Sequence, residues 1–508
     1  MKSRFLIIFS LSILFIGLLS KNLDPGQFII YGPGLDSSIV LPVRYFFVQL
    51  VDESGVNVTH FNANSSEILI KFHLRSSGRI FGIHNNVLYT QNGLFVIRYR
   101  LIQSITDDEI VISLLWLRTR VDIGNKSFIL KSPIYSEKCY CPKFSLDEWM
   151  SSKLKCPKQY LQIEKDFQQF QFFNPEQSFQ RFYNLYYPFK SVSVCRYIIK
   201  DNEVYRKCFG QYTDFKIFSD AVLLSLHKKV ILPNADFLWN LGDWPVSMKN
   251  NDKFAVLSWC GSKDSHDIVI PSYETMEWIL EMMGRVYLDI FTVLNDSNLL
   301  WDNKVTKAFW RGRDSSQSRL ELVRMSLKNP ETLNARLTNM FFFPNDSTLG
   351  NLVKPISFIK FFDYKYLLNM DGTVAAYRFP LSLAGGSLIF KEESKYYEYI
   401  YSQLIPGTHY VQIKSNLSDL IDKIQWAKIH DFQSQQIAEN ARNFAKSELM
   451  PVKVLCYFGR VLEAYDKGTY QFKTLLIPDG YEFVTDKETE NNCKCSLLNL
   501  TENIRDDL

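Results

Sequence analysis

The hydrophobic texture of the chain changes once, between residues 134 and 157, and this change limits the possible folds more than any other feature. From about Leu23 to Ile134, apolar and polar residues alternate in short runs, as in Leu41–Leu50, Glu67–Leu74 and Gly93–Arg100, with Asn, Gly, Ser and Asp clustered between them. Period two is the repeat of a strand with one face in a core and the other in water, so residues 23–134 predict an antiparallel β-sandwich. Beyond the change, strand-like runs alternate with helix-like ones, the pattern of a parallel α/β unit. Asp236–Leu241, Phe254–Trp259, Lys365–Met370 and Ser387–Phe390 read as buried strands, and Ser318–Leu327 as a helix. Leu417–Ala427 reads as a second helix, with Leu417, Leu420, Ile421, Ile424 and Ala427 on one face. Cys139–Cys156, with Pro133, Pro142 and Pro157 around it, reads as the joint between the two parts. A chain of 508 residues is too long for one core, which agrees with a division of this kind.

The N-terminus sets the expected compartment. Lys2 and Arg4 precede an apolar stretch, Leu6–Leu19, that is shorter than the roughly 20 residues a membrane span needs. Residues 1–20 therefore predict a signal peptide, with a signal anchor as the alternative, and no later segment reads as a membrane span. Sequons at Asn57, Asn64, Asn125, Asn295, Asn345, Asn416 and Asn499 suit a luminal protein. Residues 485–508 form a polar tail, expected to be flexible. The chain closes with Arg505-Asp506-Asp507-Leu508, similar to the Lys-Asp-Glu-Leu retrieval signal but with Arg for Lys and Asp for Glu. Residence in the endoplasmic reticulum lumen, with a retrieval receptor as a partner, is the expectation. Nine cysteines in an oxidising compartment predict disulfides; none stands in a C-x-x-C pair, and the odd number leaves at least one without an intramolecular partner. Their connectivity stays open. The net charge of +4, not concentrated in a tail, argues against nucleic acid as a partner.

Three stretches fall where strands of an α/β sheet should end, which is where such sheets bind ligands. In Asn240-Leu-Gly-Asp-Trp-Pro245 a strand runs into Gly242, and Pro245 keeps Trp244 extended, so Asp243 is displayed on a loop. A carboxylate there suits a general base for an attacking hydroxyl; the competing reading has Asp243 bonding its own turn backbone. In Ala308-Phe-Trp-Arg-Gly-Arg-Asp-Ser-Ser-Gln-Ser-Arg319 a strand leads to Arg311 and Arg313, and Ser315 or Ser316 caps a helix carrying Arg319. Guanidinium groups beside a helix N-terminus suit a diphosphate, and a solvated basic turn is the alternative. In Asn369-Met-Asp-Gly-Thr-Val-Ala-Ala-Tyr-Arg378 the small residues Thr373–Ala376 are expected to begin a helix, with Arg378 one turn in. An ordinary strand-to-helix turn explains that stretch equally well. No Asp-x-Asp pair, His-x-Glu or His-Glu-x-x-His cluster of metal ligands accompanies these stretches.

Taken together, the three stretches resemble the protein O-glucosyltransferase family, whose catalytic region is related to capsule-associated proteins. Asp214–Leu226, Ser258-Trp-Cys-Gly-Ser262, Asp267-Ile-Val-Ile-Pro271 and Asp371–Arg378 add to the resemblance. Tyr31-Gly-Pro-Gly-Leu35 and Gly93–Tyr99 look like an immunoglobulin-like filamin repeat, matching the subfamily that carries one. The resemblance implies an α/β GT-B fold of two Rossmann-like halves over residues 135–484, working without metal or other cofactor. It implies inverting transfer of glucose from UDP-glucose to serine in EGF-like repeats. UDP-xylose as donor, or a non-catalytic luminal binding module, are the alternatives. Asp243 matches the family's general base; Arg313, Arg319, Thr373, Val374, Ala375, Ala376, Tyr377 and Arg378 match donor-contacting positions, with Arg313 standing where some relatives have serine.

Overall fold

A computed structural model describes residues 22–486, except 59–60, 62, 91–92, 126, 171–172, 188–191, 251, 281–288, 297–299, 345 and 470–475, together with Cys493 and Cys495. The predicted signal peptide, the Arg505–Leu508 end, Asn345, Asn499 and the side chain of Asn125 lie outside the described residues. Among the sequons inside them, Asn57, Asn64 and Asn416 are exposed and Asn295 is half-buried in a helix. No described helix is long and apolar enough to cross a membrane. The chain divides into two compact units, residues 1–37 with 44–134 and residues 38–43 with 135–508.

The smaller unit is built from two antiparallel sheets. Ile29–Tyr31, Arg44–Gln49, Leu94–Leu101 and Ile83–Tyr89 lie side by side in one; Ile68–Leu74 and Ile110–Trp116 pair in the other, with Val121–Asp122 and Phe128–Leu130 added to Ile110–Trp116. Alternate residues of both sheets, among them Phe46, Val48, Phe95, Ile97, Ile112 and Trp116, point into one shared core. The period-two pattern is thus realised as two half-buried surfaces facing each other.

The larger unit is mixed α/β and holds two main sheets. In the first, β1 (Ser193–Lys200) and β2 (Glu203–Gly210) form an antiparallel hairpin, and β3 (Ala235–Asn240) lies antiparallel to β1. Only β4 (Val256–Ser258) and β5 (Ile268–Val269) continue from β3 in parallel. The expectation of parallel α/β architecture is met only in part in this sheet, and the hairpin has a local reason. Asp201 and Asn202 both take positive φ, 51° and 64°, making the two-residue turn whose twist joins adjacent antiparallel strands. The second sheet is wholly parallel: β6 (Val305–Arg313), β7 (Leu333–Asn339), β8 (Tyr364–Asn369), β9 (Leu388–Glu392) and β10 (Val411–Ile413) lie in the order β7-β6-β8-β9-β10. Numbered from its own first strand this order is 2-1-3-4-5. Successive connections diverge between β6 and β8, and such a divergence opens a crevice beyond the strands' carboxyl ends.

Disulfides close the larger unit. Cys139–Cys493, Cys141–Cys495 and Cys156–Cys456 join positions 300 or more residues apart, Cys195–Cys208 crosses the β1–β2 hairpin, and Cys260 is a buried free thiol. Residues 139–156, read as the joint, are part of the larger unit, with Cys139, Trp149 and Met150 buried. The polar tail is likewise fastened at Cys493 and Cys495 rather than free along its length. The helix Pro451–Thr469, which carries Cys456, packs back on the first sheet through Phe458 against Trp239 and Tyr465 against Phe237. Replacing Cys156 and Cys456 together by alanine should lower stability by about 2–5 kcal/mol, because the crosslink restricts the unfolded chain. Denaturant unfolding of the oxidised double variant measures this.

Candidate active site

The loop after β3 is shaped by Asn240, the strand's last residue. Its side-chain oxygen accepts from the Gly242 amide at 3.0 Å, and its amide nitrogen donates to the Trp244 carbonyl at 2.7 Å and to Ser258 Oγ at 3.2 Å. Asp267, fully buried at the end of the loop leading to β5, accepts from the Val246 and Ser247 amides at 2.9 and 3.0 Å and from Ser258 Oγ at 2.6 Å. The turn's polar groups are thus met by Asn240 and Asp267. Among the described residues, none hydrogen-bonds the Asp243 carboxylate. Its main chain is held instead: Cys260 Sγ and Tyr377 Oη both donate to the Asp243 carbonyl, at 3.3 and 3.5 Å.

From the second sheet, β6 ends at Arg313 and runs through Ser315 and Ser316 into α3 (Gln317–Lys328). Ser316 occupies the N-cap position, but its hydroxyl donates to the Asp371 carbonyl at 2.9 Å and not to a helix amide. Arg319, in the first turn of α3, is buried. It donates to the Arg313 carbonyl at 3.2 Å, Ser315 Oγ at 2.6 Å and the Met370 carbonyl at 2.9 Å, while its Nε has no partner. Arg311 is committed elsewhere, to the Trp310 and Asn334 carbonyls and the Asn334 side chain. Gly372 lies where a Cβ would stand 2.9 Å from Ser315 Oγ and 3.2 Å from an Arg319 nitrogen, so any side chain there would press on both groups.

The run Thr373–Ala376 does not begin a helix. It bends, with the Gly372 amide bonded to the Val374 carbonyl, and helix α4 begins only at Phe379 and extends to Ala384. Pro380 explains this: it has no N–H for the Ala376 carbonyl, and its ring would collide with that carbonyl in a helix continuing from residue 373. Val374, Ala375, Ala376 and Tyr377 are buried, while Thr373 and Arg378 are half-buried. Arg378 donates to the Arg311 carbonyl at 3.1 Å.

These pieces converge at the carboxyl ends of both sheets. Asp243 is open to solvent but set in a recess; burial raises its pKa, and the Arg313 guanidinium opposes that rise. Arg319 is pushed down to about 9 by burial and then by Arg378, and Arg378 is lowered by burial, with Glu274 acting against it. Glu274, at the start of α2 (Tyr273–Leu280), is raised by burial and held back by Arg378, with Asp243 adding to the rise. Rings cross the gap as well: Tyr273 meets Tyr377 edge-on at 5.4 Å, and Trp244 meets Tyr396 at 6.3 Å. Asp243 and Glu274, from beyond the first sheet, thus act on Arg313 and Arg378, from beyond the second, while Arg319 has Asp371 and Glu392 beside it. No described trio of His, Cys, Asp or Glu could hold a metal ion. Asn240, Cys260, Asp267 and Glu274 went unassigned in the sequence; the quoted stretches around the first three were the available signal, and Glu274 had none.

Residues 151–499 match the family described as glycosyl transferase family 90. Over 489 residues and 94% of each chain, the sequence is 41% identical to Protein O-glucosyltransferase 2 of Danio rerio. It is 38% identical to Protein O-glucosyltransferase 3 of Homo sapiens over 473 residues and 92% of each chain. With Protein O-glucosyltransferase 1 of Homo sapiens it shares 30% identity over 247 residues, 46% of this chain and 63% of the other.

Two substitutions test the geometry itself. Removing the opposing charge with Arg313→Gln should raise the Asp243 pKa further, which a carboxyl-carbon NMR titration reads directly; an unchanged or lower value contradicts the pairing. Gly372→Ala should press on Ser315 and Arg319 and lower stability by roughly 1–3 kcal/mol, measurable by denaturant unfolding.

Proposed function

The chain belongs to glycosyl transferase family 90 and to its protein O-glucosyltransferases, and from that premise we propose that it moves glucose from UDP-glucose onto serine in EGF-like repeats, with Asp243 as general base. The observation that carries this reading is the Asp243 carboxylate, which no described residue hydrogen-bonds while its own main chain is pinned, and which the Arg313 guanidinium opposes. A serine hydroxyl is a weak nucleophile until a positioned base takes its proton. In the proposed step the Ser O–H proton passes to Asp243, the serine oxygen bonds to the anomeric carbon, and the bond from that carbon to the phosphate oxygen breaks. UDP leaves with the electron pair. With one base and direct displacement, the configuration at the anomeric carbon inverts.

Arg313 and Arg378 are assigned to the departing diphosphate, with the buried charge of Arg319 beneath them. Arg319 shapes the wall as well, since its bonds to the Arg313 and Met370 carbonyls tie together the two loops that flank the crevice between β6 and β8. The bend from Thr373 to Tyr377 supplies the close backbone approach, in place of helix amides. Catalysis of this kind rests on charges fixed before the substrate arrives, and no metal or other cofactor is assigned a part in it. The reading extends to the whole molecule: the larger unit as a GT-B enzyme with two Rossmann-like halves, the sandwich as a filamin-type immunoglobulin-like repeat, and the lumen of the endoplasmic reticulum as its location.

Purified protein incubated with UDP-glucose and a folded EGF-like repeat should add one hexose to the repeat, read by intact-mass spectrometry. UDP-xylose in a parallel reaction decides the donor, and no mass gain with either donor would support a binding module. Asp243→Asn should lower turnover by about 10²–10⁴, the usual contribution of a general base, with UDP affinity preserved. Undiminished turnover in that variant removes the role from Asp243.

A further inference from the structure

Two aromatic rings stand in water at the edge of this site. Phe341 is 68% exposed and Phe342 54%, on the loop that leaves β7. The backbone of this loop is held by a buried carboxylate. Asp314, completely buried, accepts from the amides of Phe341, Phe342 and Phe343 at 2.8, 2.9 and 2.8 Å. Those bonds outweigh burial and hold the Asp314 carboxyl below its ordinary range. Met340 and Phe343 anchor the loop from below by packing on the core of the second sheet.

The location of the loop identifies its occupant. β6 and β7 are parallel, and Arg313 is paired with Asn339, so the loop rises from the same carboxyl edge as Arg313, the charge that opposes Asp243. Asp314, which pins the loop, is the residue after Arg313. In the sheet order, β7 is the outer strand and lies on the side of β6 away from the β6–β8 crevice where Arg319 and Arg378 stand. With the donor assigned to the inner side, as in the proposed function, the rings remain free. On the first sheet's side, the residue after Asp243 is Trp244, itself 55% exposed. Exposed aromatics thus flank both partners of the Asp243–Arg313 pair. A serine reaching Asp243 arrives on a folded polypeptide that must rest on the surrounding rim, and large, stiff rings provide contact area with little side-chain entropy to lose.

We propose that the Asp314-pinned loop, through Phe341 and Phe342 and with Trp244 opposite, is the docking rim for the acceptor protein, engaging an apolar patch beside the target serine. The inference rests on the transferase reading and adds the surface that selects the acceptor. Phe341 and Phe342 do not touch the reacting atoms, so their effect belongs in acceptor affinity rather than in chemistry.

The test is steady-state transfer to a folded EGF-like repeat at saturating UDP-glucose by wild type, F341A/F342A and F341Y/F342Y. Loss of two central aromatic contacts should raise the acceptor KM of the alanine variant about tenfold or more, with the thermal midpoint and calorimetric UDP affinity held. The tyrosine variant, which keeps both rings, should return the KM to within about threefold of wild type. An alanine-variant KM unchanged from wild type, or a fall in kcat alone, overturns the docking rim while leaving the transferase reading intact. Absence of transfer by wild type itself overturns the transferase reading, and this inference with it.

Discussion

The arrangement of the larger unit depends on a carboxylate and a set of guanidinium groups being held apart on different sheets and brought face to face only by the fold. On one sheet Asp243 is fixed through its main chain, with Cys260 Sγ and Tyr377 Oη on its carbonyl. One of those donors comes from the bend that follows β8, so the second sheet helps to fix the base of the first. A carboxylate bonded to its own turn would be a poor proton acceptor. Here Asn240 and Asp267 satisfy the turn, and no described residue hydrogen-bonds the Asp243 carboxylate, as the proposed base requires.

The cationic side carries the opposite burden. Arg319 is buried; carbonyls and a hydroxyl take its hydrogen bonds, its Nε has no partner among the described residues, and its pKa falls to about 9 although Asp371 and Glu392 act to hold it up. Removing a charge from water without a direct ion pair is unfavourable, and folding must offset it elsewhere. The parallel sheet beneath, with Trp310, Leu337, Tyr366 and Phe390 almost wholly buried, supplies apolar burial for that purpose. An anion arriving between Arg313 and Arg378 would find positive charge already oriented, which is the condition under which electrostatic stabilisation acts without reorganisation.

Most of the elements that bear the site were legible from local pattern. The strand expected over Asp236–Leu241 is Ala235–Asn240, that over Lys365–Met370 is Tyr364–Asn369, and the helix expected over Ser318–Leu327 is Gln317–Lys328. What escaped local reading was set by contacts distant in sequence or by a single residue's geometry. The strand in Phe254–Trp259 shrinks to Val256–Ser258. Leu417 takes φ of 57° and lies before its helix, which opens at Leu420, although Leu417 is buried as its spacing implied. Pro380 delays the helix expected at Thr373, and a left-handed pair at Asp201 and Asn202 turns a parallel expectation into a hairpin. Cysteine pairing over 300 residues has no local signature at all. The three stretches singled out for chemistry do meet, but Glu274 and Cys260 joined them only through the fold.

A direct displacement served by a single carboxylate places the departing diphosphate on the far side of the sugar from the incoming serine. That geometry is read from the anomeric configuration of the sugar attached to serine, in the proton NMR spectrum of the product made from UDP-α-glucose. A β-linked glucose is the expected result. An α-linked product would require two successive displacements or a same-face attack, and would contradict the role given to Asp243.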